Sequence, residues 1–397
     1  MVRIGLYGGT FNPPHLGHVH VARSAVDALG LDRLLIMPSC IPPHKTLPAD
    51  SPSVQERLEL LQLAYGDVPN TEVSTLELDR GGISYTVDTV TQLHSQYPDA
   101  ELVLLLGTDM FLSFRNWRQW ETILQHASLA VFFRGDKDEQ QNIAAQKAEL
   151  EALGATVYLM ENDIKAISST QLRRLMAFQC VEPFLPEAVM TVIREKNLYG
   201  IHTDYRGLSE QQLEIVVKGL LKPSRIPHVL GCRDTAAKMA QVWGVDVTDA
   251  ARAGLLHDVT KALSGPLQLR LCNSYGVQLD EFSFRNPKTL HALTGALVAE
   301  RVFGENPAVV SAIRSHTTGK ADMNTLEKII YVADYMEPNR DFPGVEELRR
   351  LAYTNLDKAL EMGLEMTLSV LKEQGRQISP ESRQALQWLR EQEKNTL

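Results

Sequence analysis

The sequence predicts a doubly wound α/β domain with a parallel sheet, followed by an all-α domain. Up to about residue 200, short apolar runs alternate with helix-like segments, the pattern of a parallel sheet wrapped by helices. Beyond Gly200 the strand signals fade while helical periodicity persists. The length of 397 residues agrees, giving two or three domains at roughly 150 residues each.

Arg3 to Tyr7 is a short apolar run ending on glycines, the mark of a buried strand. His18 to Leu29 is helix-like, and Arg33 to Met37 is a second strand closed by Pro38. Ser53 and Glu56 form a capping box, and Leu58, Leu60, Leu61 and Leu63 continue the helix it opens. Thr86 to Tyr97 reads as a helix stopped by Pro98, and Glu101 to Leu106 as a strand running into Gly107. A helix over Trp117 to Gln125, a strand over Ala127 to Phe133, a helix over Gln140 to Leu153 and a strand over Thr156 to Leu159 complete the alternation. In the second half, Ser209 with Gln212 makes another capping box before Leu213 to Leu221. Helical patterns follow over His228 to Trp243, Thr248 to His257, Thr289 to Phe303, Pro307 to His316, Thr325 to Met336, Asn355 to Lys372 and Pro380 to Glu391. The change of period predicts a first domain over 1–200, a linker over 201–208 and a second domain over 209–397. The last helices cover that domain's core or form a homo-oligomer contact.

A composition of 44% hydrophobic and 22% charged residues is that of an ordinary globular protein. A net charge of −9 excludes a general nucleic-acid binder but not small anionic ligands, which answer to local cations. The cysteines Cys40, Cys180, Cys232 and Cys272 are scattered without a C-x-x-C pair, as in a protein with reduced thiols. There is no signal-peptide h-region and no apolar run of the ~20 residues a membrane span needs, so a cytoplasmic protein without membrane contact is expected.

The loop Gly8-Gly9-Thr10-Phe11-Asn12-Pro13-Pro14-His15-Leu16-Gly17-His18 follows the first strand, at the carboxyl edge where open α/β sheets bind ligands. Its glycines let backbone approach a phosphate. His15 and His18, spaced i, i+3, share the first turn of the helix, where the dipole favours anions. Ile167-Ser168-Ser169-Thr170-x-x-Arg173 sets hydroxyls and N–H groups at another helix start, with a guanidinium one turn on. Gly107-Thr108-Asp109 ends a strand with a carboxylate able to accept ribose hydroxyls, and Ile41-Pro42-Pro43-His44-Lys45 is a stiffened loop ending in two cations.

These motifs resemble the H-x-G-H nucleotidyltransferases. Pro42-Pro43-His44-Lys45, Ser84-Tyr85-Thr86-x-Asp88-Thr89, Gly107-Thr108-Asp109 and Trp117 narrow the resemblance to nicotinate-nucleotide adenylyltransferase over about Met1 to Gly200. The resemblance implies that nicotinate mononucleotide attacks the α-phosphate of Mg²⁺-bound ATP, giving deamido-NAD and pyrophosphate. It implies catalytic roles for His15, His18, Lys45 and Arg173, and ATP contacts from Gly8, Gly9, Thr10, Phe11, Gly107, Asp109, Ile167, Ser168, Ser169 and Thr170. Tyr85, Thr86, Trp117 and Arg134 would hold the nicotinate. The segment Phe132-Phe133-Arg134-Gly135 departs from the family, which often has a proline beside the arginine.

In the second half, His257-Asp258 ends an apolar helix, with His228 before it and His291, His316 and Asp334 on later helices. Four imidazoles and two carboxylates suit one or two first-row divalent ions. Together with Arg225-x-x-His228, His257-Asp258-x-x-Lys261 and Asp334-Tyr335-Met336-Glu337-Pro338-Asn339-Arg340, the pattern resembles the HD superfamily of metal-dependent phosphohydrolases. Within it, the pattern looks like the HD-type symmetrical bis(5′-nucleosyl)-tetraphosphatases. The resemblance implies hydrolysis of diadenosine tetraphosphate to two ADP. It places one metal on His228, His257, Asp258 and Asp334, and a second on Asp258, His291 and His316. Iron is favoured, with Mn, Co and Zn compatible, and Lys261 and Arg340 would meet phosphate. The alternative is an adenylyltransferase for another substrate, such as phosphopantetheine, joined to a non-catalytic nucleotide-sensing HD domain.

Overall fold

The computed structural model describes residues 2–43, 46–48, 50–133, 137–161, 167–181 and 183–396. The chain forms two compact units, Met1–His202 and Thr203–Leu397. As predicted, the first is a parallel α/β fold and the second is helical.

The first unit runs β1 (Arg3–Gly9), α1 (Leu16–Leu29), β2 (Arg33–Pro38), α2 (Val54–Tyr65), β3 (Thr71–Val73), α3 (Leu76–Arg80), α4 (Thr86–Gln96), β4 (Glu101–Gly107), α5 (Thr108–Leu112), α6 (Trp120–His126), β5 (Ala127–Phe133), α7 (Lys137–Ala152), β6 (Val157–Glu161), α8 (Ser169–Ala177) and α9 (Glu187–Glu195). All strand pairs are parallel, in the order β3-β2-β1-β4-β5-β6. Leu102 to Leu106 are buried without a break because helices cover both faces of a parallel sheet. Chain order reverses between β1 and β4, and the glycines ending both strands, Gly8-Gly9 and Gly107, open the crevice where such sheets take ligands. β3 escaped the sequence reading because three residues carry no period. The helix expected from Trp117 begins at Trp120. Gln119 adopts a left-handed φ of 50°, which leaves Trp117 on a loop anchored by its N–H to the Phe114 carbonyl.

The second unit comprises α10 (Glu210–Leu220), α11 (Ile226–Trp243), α12 (Val247–Leu256), α13 (Gly265–Ser274), α14 (Glu281–Arg285), α15 (Leu290–Arg301), α16 (Pro307–Ser315), α17 (Thr325–Met336), α18 (Val345–Ala352), α19 (Leu356–Glu373) and α20 (Pro380–Thr396). Aliphatic stripes such as Leu255-Leu256, Ile329-Ile330 and Leu360-Leu364 form its core. Ala385, Leu386 and Leu389 of α20 are buried too, so the last helix covers its own unit. Among the described residues, no helix is long and apolar enough to cross a membrane.

Candidate active sites

A cleft of about 870 Å³ opens beyond the carboxyl ends of β1 and β4. Gly8, Gly9, Thr10, Phe11, His15, His18, Tyr85, Thr86, Gly107, Asp109, Trp117, Ile167, Ser168, Ser169, Thr170 and Arg173 all line it. Of the residues assigned to this site, Lys45 and Arg134 lie outside the described residues, as does His44.

The two histidines cap α1 with their own side chains. His15 is the N-cap, and its Nδ1 accepts from the His18 backbone N–H, while the His18 Nδ1 accepts from the His15 backbone N–H, both at 3.3 Å. A capping box normally uses Ser or Thr with Glu or Gln. An imidazole in that role has its proton on the other nitrogen, so each ring carries an Nε2–H donor. The rings stack with centroids 3.5 Å apart. Burial pulls the His15 pKa down to about 3, so this donor stays neutral at physiological pH. A Cβ on Gly17 would sit 3.0 Å from the His15 Nδ1, so the glycine between the histidines makes room for the ring.

The glycine pair divides its work. Open space lies beside Gly8, as backbone approach to a ligand requires, whereas a Cβ on Gly9 would meet the Phe11 ring at 3.1 Å. Phe11 is buried, edge-on to Tyr7, His18 and Tyr65, and it fixes the loop from below. Helix α8 is tied to the same loop. Ser168 caps it, the Ser169 Oγ donates to the Pro13 carbonyl at 2.9 Å, and the Arg173 Nη1 donates to the Asn12 carbonyl at 2.5 Å.

Sequence reasoning missed Arg57. It is 2% exposed, and its guanidinium donates to the carbonyls of Thr10 and Ser39, joining the loops after β1 and β2. Its signal was present: Arg57, Leu60, Leu61 and Ala64 share one buried helical stripe, where an arginine must find acceptors.

In the second unit all six expected ligands converge. His228 lies in the first turn of α11, and His257 caps α12 with Asp258 after it. His291 opens α15, His316 caps α16 and Asp334 lies near the end of α17. Three imidazoles donate Nδ1–H to a carbonyl three residues back: His257 to Gly254 (2.7 Å), His291 to Lys288 (2.8 Å) and His316 to Ile313 (2.6 Å). Burial lowers the pKa of His291 and His316, which keeps them neutral. Their Nε2 lone pairs therefore face inward. The His228 Nε2 lies 3.1 Å from the Asp334 Oδ1 and 3.2 Å from the His257 Nε2. Metal bonds of ~2.1 Å put neighbouring ligand atoms about 3 Å apart, so this spacing fits a shared ion.

Asp258 is fully buried. Burial opposes its ionisation, but His257, His316 and Lys261 outweigh it and hold the carboxyl well below the usual range. Arg225 Nε donates to its Oδ2 at 2.5 Å, while its Oδ1 has no hydrogen-bond partner among the described residues. The Nε2 atoms of His291 and His316 lie 3.4 and 3.8 Å from that oxygen, yet each has already committed its one proton. A carboxylate oxygen and imidazole Nε2 atoms gathered this closely, with the Lys261 Nζ 3.6 Å from the same oxygen, form a site suited to a cation. Two triads have the needed closeness, His228–His257–Asp334 and His257–Asp258–His316. His291 belongs to neither; its Nε2 meets the Lys261 Nζ at 2.7 Å and the Thr317 Oγ1 at 3.0 Å. Lys261 and Arg340, expected at phosphate, sit against His291 and Asp334, with the Arg340 Nη2 2.8 Å from the Asp334 Oδ1.

Glu337 was not singled out as a site residue. It is buried, its Oε1 lies 3.1 Å from the His228 Nδ1, and a Cβ on Gly231 would strike its Oε2. A carboxylate on the far nitrogen orients a ligating imidazole and raises its basicity. Glu337→Gln is expected to weaken metal retention about 10–100-fold, read by titration with a competing chelator.

Comparison with known proteins matches the two halves of the chain to separate families. The Cytidylyltransferase-like family model matches residues 6–175, and the HD domain model matches residues 225–339. A Neisseria meningitidis serogroup C protein named "Probable nicotinate-nucleotide adenylyltransferase" is 35% identical over 201 residues, spanning 50% of this chain and 99% of that protein. One of the same name from Aeromonas salmonicida is 37% identical over 208 residues, spanning 49% of this chain and 96% of that protein. The crystal structure of a "predicted HD superfamily hydrolase involved in NAD metabolism" from Clostridium acetobutylicum is 36% identical, with a TM-score of 0.46, and covers 47% of this chain and 98% of that one.

Proposed function

Because the chain belongs, through its first half, to the nicotinate-nucleotide adenylyltransferase family and carries an HD domain in its second, we propose that it is a bifunctional enzyme of adenine-nucleotide chemistry.

The first half joins AMP from Mg²⁺-bound ATP to nicotinate mononucleotide. A phosphate oxygen of the mononucleotide bonds to the α-phosphorus and pyrophosphate leaves. Such a transfer needs alignment and charge neutralisation rather than a covalent enzyme intermediate. His15 and His18 present Nε2–H donors to the phosphates as negative charge shifts toward the leaving group. Arg173 and Lys45 add positive charge, and Gly8 lets backbone approach. The Ile167 to Thr170 segment supplies further donors, Asp109 accepts from ribose, and Tyr85, Thr86 and Trp117 bracket the nicotinate. The supporting observation is the histidine capping box, which fixes both rings through their Nδ1 atoms and sets their Nε2 atoms on the far side from the cap, with burial keeping His15 neutral.

The second half hydrolyses the central phosphates of diadenosine tetraphosphate, with water added and two ADP released. His228, His257, Asp258, His316 and Asp334 would hold the metal, iron by the family resemblance with Mn, Co and Zn compatible with the same N/O ligands, and His291 would complete the set. A divalent ion bound there supplies an acidified water and neutralises phosphate charge. Arg225 fixes Asp258, Glu337 fixes His228, and Lys261 and Arg340 meet the substrate's remaining charges. The Asp258 Oδ1, without a hydrogen-bond partner among the described residues and facing the Nε2 atoms of His291 and His316, supports this reading.

Both reactions are tested on the full chain by identifying products after exhaustive chelation and dialysis. Mg²⁺ alone is expected to restore adenylyl transfer, whereas hydrolysis returns only with a transition metal. Hydrolysis that persists after chelation defeats the metal reading. Failure to form deamido-NAD from ATP and nicotinate mononucleotide defeats the first half.

A further inference from the structure

We infer that Arg118 decides whether the cleft prefers a pyridine ring bearing a carboxylate or one bearing a carboxamide. The inference rests on the nicotinate reading above.

Acid and amide are nearly the same shape, so a slot formed by aromatic faces cannot separate them well; a charge can. Carboxylates line this cleft at Glu77, Asp109 and Glu139, and by themselves they favour the neutral amide. Selection of the acid therefore needs a cation at the ring. Among the described cleft residues there are two guanidiniums. Arg173 is engaged with the Asn12 carbonyl and the Thr170 hydroxyl, on the side of the H-x-G-H loop. Arg118 follows Trp117 directly, and its guanidinium carbon lies 4.7 Å from the centre of the Tyr85 ring. The two aromatic residues proposed to hold the pyridine thus flank this cation in sequence and in space.

The position is fixed by its surroundings. Phe114 is fully buried, its ring lies 5.4 Å from that of Trp117, and its carbonyl accepts the Trp117 N–H at 2.9 Å. The left-handed turn at Gln119 then ends the loop, leaving Trp117 and Arg118 together at the cleft. The charge is also uncommitted. Arg115, three residues earlier, pairs with Glu149 at 3.0 Å, whereas Arg118 has no carboxylate partner among the described residues. Resting on the Tyr85 face costs the guanidinium none of its N–H donors, so its planar fork stays available for a carboxylate.

The test measures kcat and KM of the full chain for nicotinate and nicotinamide mononucleotides with Mg²⁺-ATP, in wild type, Arg118→Ala, Arg118→Lys and Arg134→Ala. Arg118→Ala is expected to raise the KM for the nicotinate substrate at least about tenfold and to shrink the preference by a like factor, because a charge-assisted bond is lost for the acid alone. Arg118→Lys keeps the charge without the fork and should recover part of the preference. An undiminished preference in Arg118→Ala overturns the inference, and a loss in Arg134→Ala instead would reassign the role there. If wild type adenylylates neither mononucleotide, the adenylyltransferase reading itself fails and takes this one with it.

Discussion

His15→Asn and His18→Gln, each made alone, are expected to lower kcat for adenylyl transfer by about 10²–10³ while thermal stability barely changes. The choice of replacements follows from the capping geometry. Alanine at either position would remove a capping bond as well as an imidazole, and losing an N-cap costs about 1 kcal/mol. Asparagine is a favourable N-cap, and glutamine three residues on can reach back to the N-cap N–H. These variants keep the start of α1 closed and delete only the Nε2–H donors. The measurement pairs steady-state kinetics with a thermal melt. Near wild-type turnover in both folded variants would remove the phosphate role from the histidines and leave them as caps.

Asp258→Asn is expected to empty the metal centre and abolish phosphohydrolase activity while adenylyl transfer continues. Asp258 is the carboxylate nearest to His291 and His316, and it also faces His228 and His257. Asparagine preserves shape and leaves an oxygen for Arg225, which avoids stranding that guanidinium; an unpartnered buried charge costs about 3–5 kcal/mol. What is lost is negative charge where a dication sits. The checks are metal content of the purified variant and product formation by both halves. A folded variant with full metal content and full hydrolysis would show that Asp258 is a structural carboxylate held by Arg225.

The legible and illegible parts of these sites divide along a physical line. His15, His18, Ser168 and Arg173 could be assigned to the crevice because they lie next to strand ends and helix starts, whose place in a doubly wound sheet is set by local pattern. The reason for Gly17 could not be read that way, since it depends on the His15 ring folding back over the turn. That Gly9 also has to admit the Phe11 ring could not be read from the loop sequence either. Trp117 was expected on a helix and lies on a loop, because the backbone at Gln119 adopts a conformation that glutamine seldom takes. Glu337 was passed over because its value arises from His228, 109 residues away in sequence.

By itself the sequence determined the class of each half and the kinds of atoms available for chemistry. Hydrophobic period selects strand or helix, and residue type limits which groups can donate, accept or bind a metal. Only tertiary structure decided how those groups are protonated and aimed. The carbonyls of Lys288 and Ile313 take the Nδ1 protons of His291 and His316, whose Nε2 atoms turn toward Asp258, while at His257 burial is outweighed by Cys232 and Asp258, which raise its pKa. A tautomer is chosen by whichever partner packing brings against the ring, and the packing that gathers five helices around one carboxylate is long-range.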